Sequence, residues 1–282
     1  MYIKEQIKTK DGYILNARIY DQSKLYNGVI LIVPSAWATQ KDYVDFAFYF
    51  QQKGYCIITF DYRGVGDSAP LKIRGFRASL HQWAIQDTDA IIRFVKKRFS
   101  ACELICVGHG IGGEIIGLAP ASQYINKIVL INSALSCSRL RRMKDKIWIG
   151  AMKLFVKAAS WSFGYFPGKK LGIMNDLPKG VMFEWINWCN NNNGLFDDFT
   201  DHNYRKLQVP LLAFSFSDDW RSQQSGVKAL LEHFPSPNII WHLINPIKEG
   251  IGWVGHTGFF KYTMQKVWDI LLTWLTKENY EN

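Results

Sequence analysis

The stretch Leu104-Ile-Cys-Val-Gly108-His109-Gly110-Ile111-Gly112-Gly113-Glu114-Ile-Ile-Gly-Leu118 decides how this chain is read. Residues 104–107 are an apolar run fit for a buried strand, and residues 114–118 open like a helix. Between them, glycines at 108, 110, 112 and 113 permit a turn too tight for ordinary side chains. The centre of that turn, Gly110, carries no functional group.

Gly108, Gly110 and Gly113 also spell G-x-G-x-x-G, the pattern that cradles a dinucleotide when it opens a first βαβ unit. That use needs an acidic residue about 20 positions later for the ribose. No Asp or Glu occurs from Ile115 to Lys144, and the motif falls on a middle strand. Neither nicotinamide nor flavin is therefore expected, although an anion at the helix start is physically possible. The six histidines are scattered without ligand spacing, so no metal or other cofactor is expected either.

Reading outward, apolar and polar residues alternate from Met1 to Lys10 and lead to an Asp11-Gly12 turn, which predicts an opening hairpin over 2–20. Strands follow at 28–33, 55–60, 104–107, 127–131, 209–215 and 239–243, with helices at 42–52, 80–99, 222–233 and 258–275 between or after them. Strands alternating with helices imply a mostly parallel sheet covered on both faces. The alternation pauses from 136 to 205, a tract rich in tryptophan, lysine and asparagine with no clear strand. The expected organisation is a core of 1–135 and 206–282 with a helical lid at 136–205.

The chain has 282 residues, 48% of them hydrophobic, enough for one sizeable domain with an insertion. No run approaches eighteen uncharged apolar residues and the start lacks a signal-peptide pattern, so a cytoplasmic protein is expected. Five cysteines without a Cys-x-x-Cys pair read as small hydrophobes in a reducing compartment, with Cys102 and Cys106 facing the same way on one strand. The net charge of +10 gathers at Arg139, Arg141, Arg142, Lys144, Lys146, Lys153, Lys157, Lys169 and Lys170, interleaved with Trp148, Phe155, Trp161, Phe163, Tyr165 and Phe166. This is a solvated basic face over an apolar interior, or a surface for weak contact with an anionic membrane. No nucleic-acid motif accompanies it.

Four marks stand in a fixed order. Asp61-Tyr-Arg-Gly-Val-Gly-Asp-Ser68 follows a strand, the glycine turn comes next, Asp218-Asp219 follows a late strand, and His256 lies in Gly255-His-Thr-Gly258. Together they resemble the α/β-hydrolase superfamily over nearly the whole chain. Phe163-Gly-Tyr-Phe-Pro-Gly168 and Asp176-Leu-Pro-Lys-Gly180 further resemble a bacterial subgroup of predicted hydrolases, serine aminopeptidase- or esterase-like.

The resemblance implies an α/β-hydrolase fold with an inserted lid, and makes the glycine turn a nucleophile elbow, Gly-x-Ser-x-Gly, with Gly110 where the serine belongs. It makes His256 the general base and Asp219 its acid partner, with Asp218 as the alternative. It assigns an oxyanion hole to the N–H of Ile111 and one near Ala36, and a pocket wall to Ser35, Trp37 and His109. Asp61, Arg63 and Asp67 serve the architecture of their loop, and His109 packs against the elbow. Ser35 is the nearest spare hydroxyl, on the wrong segment for attack in the usual geometry. Trp37, Trp148, Trp161, Trp185 and Trp188 suggest an aromatic-walled pocket.

Three functions follow as expectations: an esterase-like pseudo-hydrolase that binds a small acyl or apolar ligand; a cofactor-free enzyme whose His256–Asp219 pair acts on a substrate proton, or on water in the space the serine vacated; and a non-enzymatic protein that meets a membrane or partner through the lid.

Overall fold

A computed structural model describes residues 1–21, 26–140, 143–172 and 175–277, without the side chains of 143–146, 148, 149 and 277. Arg141, Arg142 and the side chains of Lys144, Lys146 and Trp148 thus lie outside the described residues.

The hairpin strands β1 (Ile3–Lys8) and β2 (Ile14–Tyr20) pair antiparallel, from Ile3 opposite Ile19 to Lys8 opposite Ile14. The remaining strands are β3 (Val29–Val33), β4 (Cys56–Phe60), β5 (Leu104–His109), β6 (Lys127–Ile131), β7 (Leu211–Phe216) and β8 (Ile239–Ile244). They form one sheet in the order β1-β2-β4-β3-β5-β6-β7-β8, in which β2 meets β4 antiparallel and every later pair is parallel.

The central strands are mostly apolar because both faces are covered; Thr59 in β4, His109 in β5 and Lys127 in β6 are the polar exceptions. Ile30, Ile32, Ile105, Val107, Val129 and Ile131 point to one layer with helices α1 (Val44–Gln52) and α8 (Gln265–Lys277). Val29, Leu31, Val33, Leu104, Cys106 and Leu130 point to the other, against a helical run that starts as α2 (Leu80–Gln82). This run passes through a π-helical turn (Trp83–Thr88) into α3 (Asp89–Arg98). Beyond the elbow come α4 (Ile111–Ile115), then α5 (Met143–Phe163) and α6 (Lys179–Asn190) between β6 and β7, and α7 (Gln224–Leu231) after β7. Helices α5 and α6 pack on each other. Among the described residues of 136–205 the sole β feature is one bridge, Phe166 to Leu177.

Some expectations change. Residues 258–275 do not form one helix: 3₁₀ turns at Gly258–Phe260 and Tyr262–Met264 precede α8, since Lys261 adopts an extended backbone between them. Cys102 lies in the turn before β5, not on the strand with Cys106. The Asp61–Ser68 loop is internally braced. Asp61 accepts the N–H groups of Gln40 (2.7 Å) and Asp67 (2.8 Å), while burial pushes its carboxyl up to about 6 against those bonds. Arg63 joins Asp87 and Asp11, and Arg18 pairs with Asp67. No helix among the described residues is long and apolar enough to cross a membrane.

Candidate active site

The elbow follows from local sequence. Gly110 sits at φ +53°, ψ −121°, a conformation costly for any residue with a Cβ. Gly108 and Gly113 touch where a Cβ on Gly108 would lie 2.5 Å from the Gly113 Cα. A Cβ on Gly112 would lie 2.1 Å from the Val33 carbonyl oxygen and 2.6 Å from that of Pro34. The glycines therefore serve backbone contact: they let α4 press against the ends of β3 and β6.

His256 stands over this turn, buried except for its edge. Its Nδ1–H donates to Asp219 Oδ2 at 2.7 Å. Asp219 also accepts the Ser222 hydroxyl on Oδ2 and the Arg221 N–H on Oδ1 at 3.0 Å. Burial works to raise the Asp219 carboxyl, but the His256 bond and charge, then Ser222 and Arg221, outweigh it and hold the carboxyl below its usual range. Asp218 has a different task. Its Oδ2 accepts the N–H groups of Val254 (2.8 Å) and Gly255 (3.0 Å), tying down the loop that carries His256.

Sequence reasoning passed over Asn132, the one described non-glycine residue with positive φ (+48°). Its Nδ2 donates to the carbonyls of Gly255 and His256, both at 3.0 Å, and its Oδ1 accepts the Phe216 N–H at 3.3 Å. Asn132 thus clamps the acid strand and the histidine loop together. An asparagine after a strand is the only signal, and many turns share it.

His109 is fully buried, so it is removed from the pocket wall where it was expected. Its Nε2–H donates to the His256 carbonyl at 2.9 Å, and its Nδ1 accepts from Tyr43 Oη at 2.9 Å. Burial first, then the neighbouring His256, pushes its pKa down to about 3, so the ring is neutral.

A cavity of about 420 Å³ opens above the elbow, lined among others by Trp37, Gly110, Trp185, Trp220, Arg221 and His256. Trp37 and Trp185 are there as expected; Trp188 is instead fully buried, and Trp161 is 89% exposed on α5, away from the cavity. Trp220 and Arg221 were missed. The Arg221 guanidinium lies 4.7 Å from the Trp37 ring centre and 4.5 Å from that of Trp220, and burial draws its pKa down. The N–H groups of Ile111 and Ala36 have no acceptor among the described residues.

Ser35 is only 1% exposed and does not line the cavity, yet its Oγ lies 3.3 Å from His256 Nε2. A Cβ on Gly110 would lie 2.7 Å from that same Nε2, 3.0 Å from His256 Cε1 and 3.0 Å from Ser35 Oγ. The space expected to be vacated by the serine is therefore taken by the imidazole edge and the Ser35 hydroxyl.

A family model described as "Serine aminopeptidase, S33" matches residues 26–176, more than half the chain, including the elbow and the Asp61 loop. Solved structures resemble the chain over nearly all its length. DcsB in complex with its substrate analogue aligns at TM-score 0.68 and 15% identity, covering 98% of this chain and 99% of its own. A soluble variant of monoglyceride lipase from Saccharomyces cerevisiae, in complex with a substrate analogue, aligns at 0.67 and 15%, covering 98% and 96%. An esterase from Exiguobacterium antarcticum aligns at 0.65 and 16%, covering 97% and 99%. At such identities the likeness is one of fold. The comparison with curated proteins finds no match. The chain has the α/β-hydrolase fold and belongs to the serine aminopeptidase family of α/β hydrolases.

Proposed function

We propose that this chain turns over a small acyl-type substrate, a carboxylic ester being the simplest, with no nucleophile from the elbow. The apolar part of the substrate lies among Trp37, Trp185 and Trp220. His256 is the acid–base group, Asp219 holds its tautomer, and the N–H groups of Ile111 and Ala36 receive the developing oxyanion.

One observation carries this reading: the 2.7 Å bond between Asp219 and a His256 ring whose other nitrogen faces the cavity side of the elbow. A pocket kept only for ligand binding needs aromatic walls, not a buried carboxylate, which is costly to desolvate. The test is Asp219→Asn with p-nitrophenyl butyrate. Loss of the Nδ1–H acceptor is expected to lower kcat by about 10⁴-fold, the scale seen when such an acid is replaced by its amide. Turnover unchanged in Asp219→Asn contradicts the assignment.

A second reading concerns α5. Ile147, Ala151, Leu154, Ala158 and Trp161, spaced i, i+4, i+7, i+11, i+14, are all exposed, with exposed Lys153 and Lys157 beside them and Lys169 and Lys170 beyond. An apolar stripe edged with lysines suits the headgroup region of an anionic membrane. We propose that this face docks there.

A further inference from the structure

We propose that Ser35, supplied by the loop after β3, is the nucleophile of this site. This rests on the reading of His256 as the acid–base group and adds the atom that it activates.

The first support is placement. Because Gly112 has no side chain, the end of β3 is pressed against the start of α4, and Ser35, two residues past β3, arrives beside the elbow. A family serine would project from residue 110; here the Cβ direction of Gly110 runs toward the meeting point of Ser35 Oγ and His256 Nε2. Any side chain at 110 would stand between the cavity and the Ser35 hydroxyl. With glycine at 110, no side chain from that position covers the Ser35 hydroxyl.

The second is the direction of the hydrogen bonds. His256 Nδ1 carries the proton held by Asp219, so Nε2 is an acceptor. Ser35 Oγ accepts the Trp37 N–H at 3.3 Å, which leaves its own proton to donate to Nε2. Ser35, His256 and Asp219 thus stand as hydroxyl, imidazole and carboxylate in the order that nucleophilic catalysis requires.

The third is bracing. The Ser35 N–H donates to Tyr43 Oη at 3.0 Å, Tyr43 donates to His109 Nδ1, and the other His109 nitrogen holds the His256 carbonyl. One buried network fixes nucleophile and base relative to each other. Tyr43 and His109 are positioning residues, since neither reaches the cavity.

With an ester, the Ser35 Oγ–C bond forms as its proton passes to Nε2 and the carbonyl π pair moves to oxygen. Collapse of that oxyanion breaks the bond to the alkoxide, which leaves with the proton from Nε2. Water then repeats both steps on the acyl-serine, releasing the acid and restoring Ser35. The Ala36 N–H follows directly on this nucleophile, as the residue after an elbow serine does, and Ile111 supplies the second donor.

The experiment uses the native chain, Ser35→Ala, Ser35→Cys, His256→Ala and the double variant Ser35→Cys with His256→Ala. Turnover is read with p-nitrophenyl butyrate, and labelling by a fluorophosphonate is read by intact mass and peptide mapping. Unfolding midpoints establish that each variant is folded. The native chain is expected to gain one phosphonyl group on Ser35. Ser35→Ala loses labelling and at least about 10³-fold in turnover. In Ser35→Cys the introduced thiol is alkylated by iodoacetamide faster than in the double variant, which lacks the imidazole. If Ser35→Ala keeps native turnover while His256→Ala loses it, Ser35 is overturned and the acid–base reading stands. If His256→Ala also keeps native turnover, or the native chain neither turns over nor labels, both are overturned.

Discussion

Replacing Gly110 by alanine adds one methyl group where the molecule has the least room for it. The backbone at φ +53°, ψ −121° costs a residue with a Cβ about 1–3 kcal/mol. The new Cβ lies 2.7 Å from His256 Nε2 and 3.0 Å from Ser35 Oγ, so the imidazole must retreat; overpacking of this kind costs a further 1–3 kcal/mol or so. Together they amount to about 2–6 kcal/mol, a large share of the roughly 5–15 kcal/mol by which domains are stable. Gly250 supplies the control, because it has φ +68° with nothing within 4 Å of its Cβ position; Gly250→Ala carries backbone strain of about 1–2 kcal/mol without crowding. Equilibrium urea unfolding of both variants separates the two effects. Gly110→Ser is expected to be destabilised like Gly110→Ala and to hydrolyse p-nitrophenyl butyrate no faster than the native chain. A Gly110→Ala variant within about 0.5 kcal/mol of native, or a Gly110→Ser variant with raised turnover, refutes the claim that the site is built around glycine.

Two other predictions concern pH and lipid. His109 has its pKa lowered from 6.5 to about 3 in the fold, so the unfolded chain binds a proton that the folded chain refuses. Its contribution to stability is complete above pH 6.5 and is lost as pH falls toward 3. Between pH 6.5 and 5.0 the loss is about 2 kcal/mol, from 1.36 kcal/mol per unit. The drop in unfolding free energy from pH 7.5 to 5.0 is therefore expected to be about 2 kcal/mol smaller in His109→Gln; an equal drop contradicts the assignment. On α5, the native chain is expected to co-sediment with phosphatidylglycerol vesicles at low salt and to release at high salt. Trp161→Glu weakens that binding, and binding that ignores both salt and this substitution removes the membrane reading.

The sheet was legible because its central strands are buried on both faces and so read as apolar runs, Val29–Val33, 104–107 and 128–131 among them. The opening hairpin was legible through its alternation and its Asp11-Gly12 turn. Helix boundaries were less so: the break at Lys261 has no Gly or Pro to announce it. At the site, chain order brought attention to His256 and to Asp219 ahead of its neighbour Asp218, but the task of Asp218 was not legible. Only the fold sends one carboxylate to the imidazole and the other to the Val254 and Gly255 backbone. Ser35 was set aside because its segment is normally the oxyanion loop. Its approach to His256 depends on backbone contact at Gly112, a distance that no spacing rule encodes. The tryptophans show the same limit, since Trp188 is packed, Trp161 faces outward, and Trp37 and Trp185 line the cavity, all from similar surroundings in sequence.

The most direct measurement is the initial rate of p-nitrophenyl butyrate hydrolysis by the native chain and by His256→Ala at pH 7.5. Saturable turnover in the native chain, lowered by at least about 10³-fold without the imidazole, is the predicted result. Equal rates in the two proteins, or none in the native chain, would contradict the claim that this glycine-elbow site performs acyl chemistry through His256.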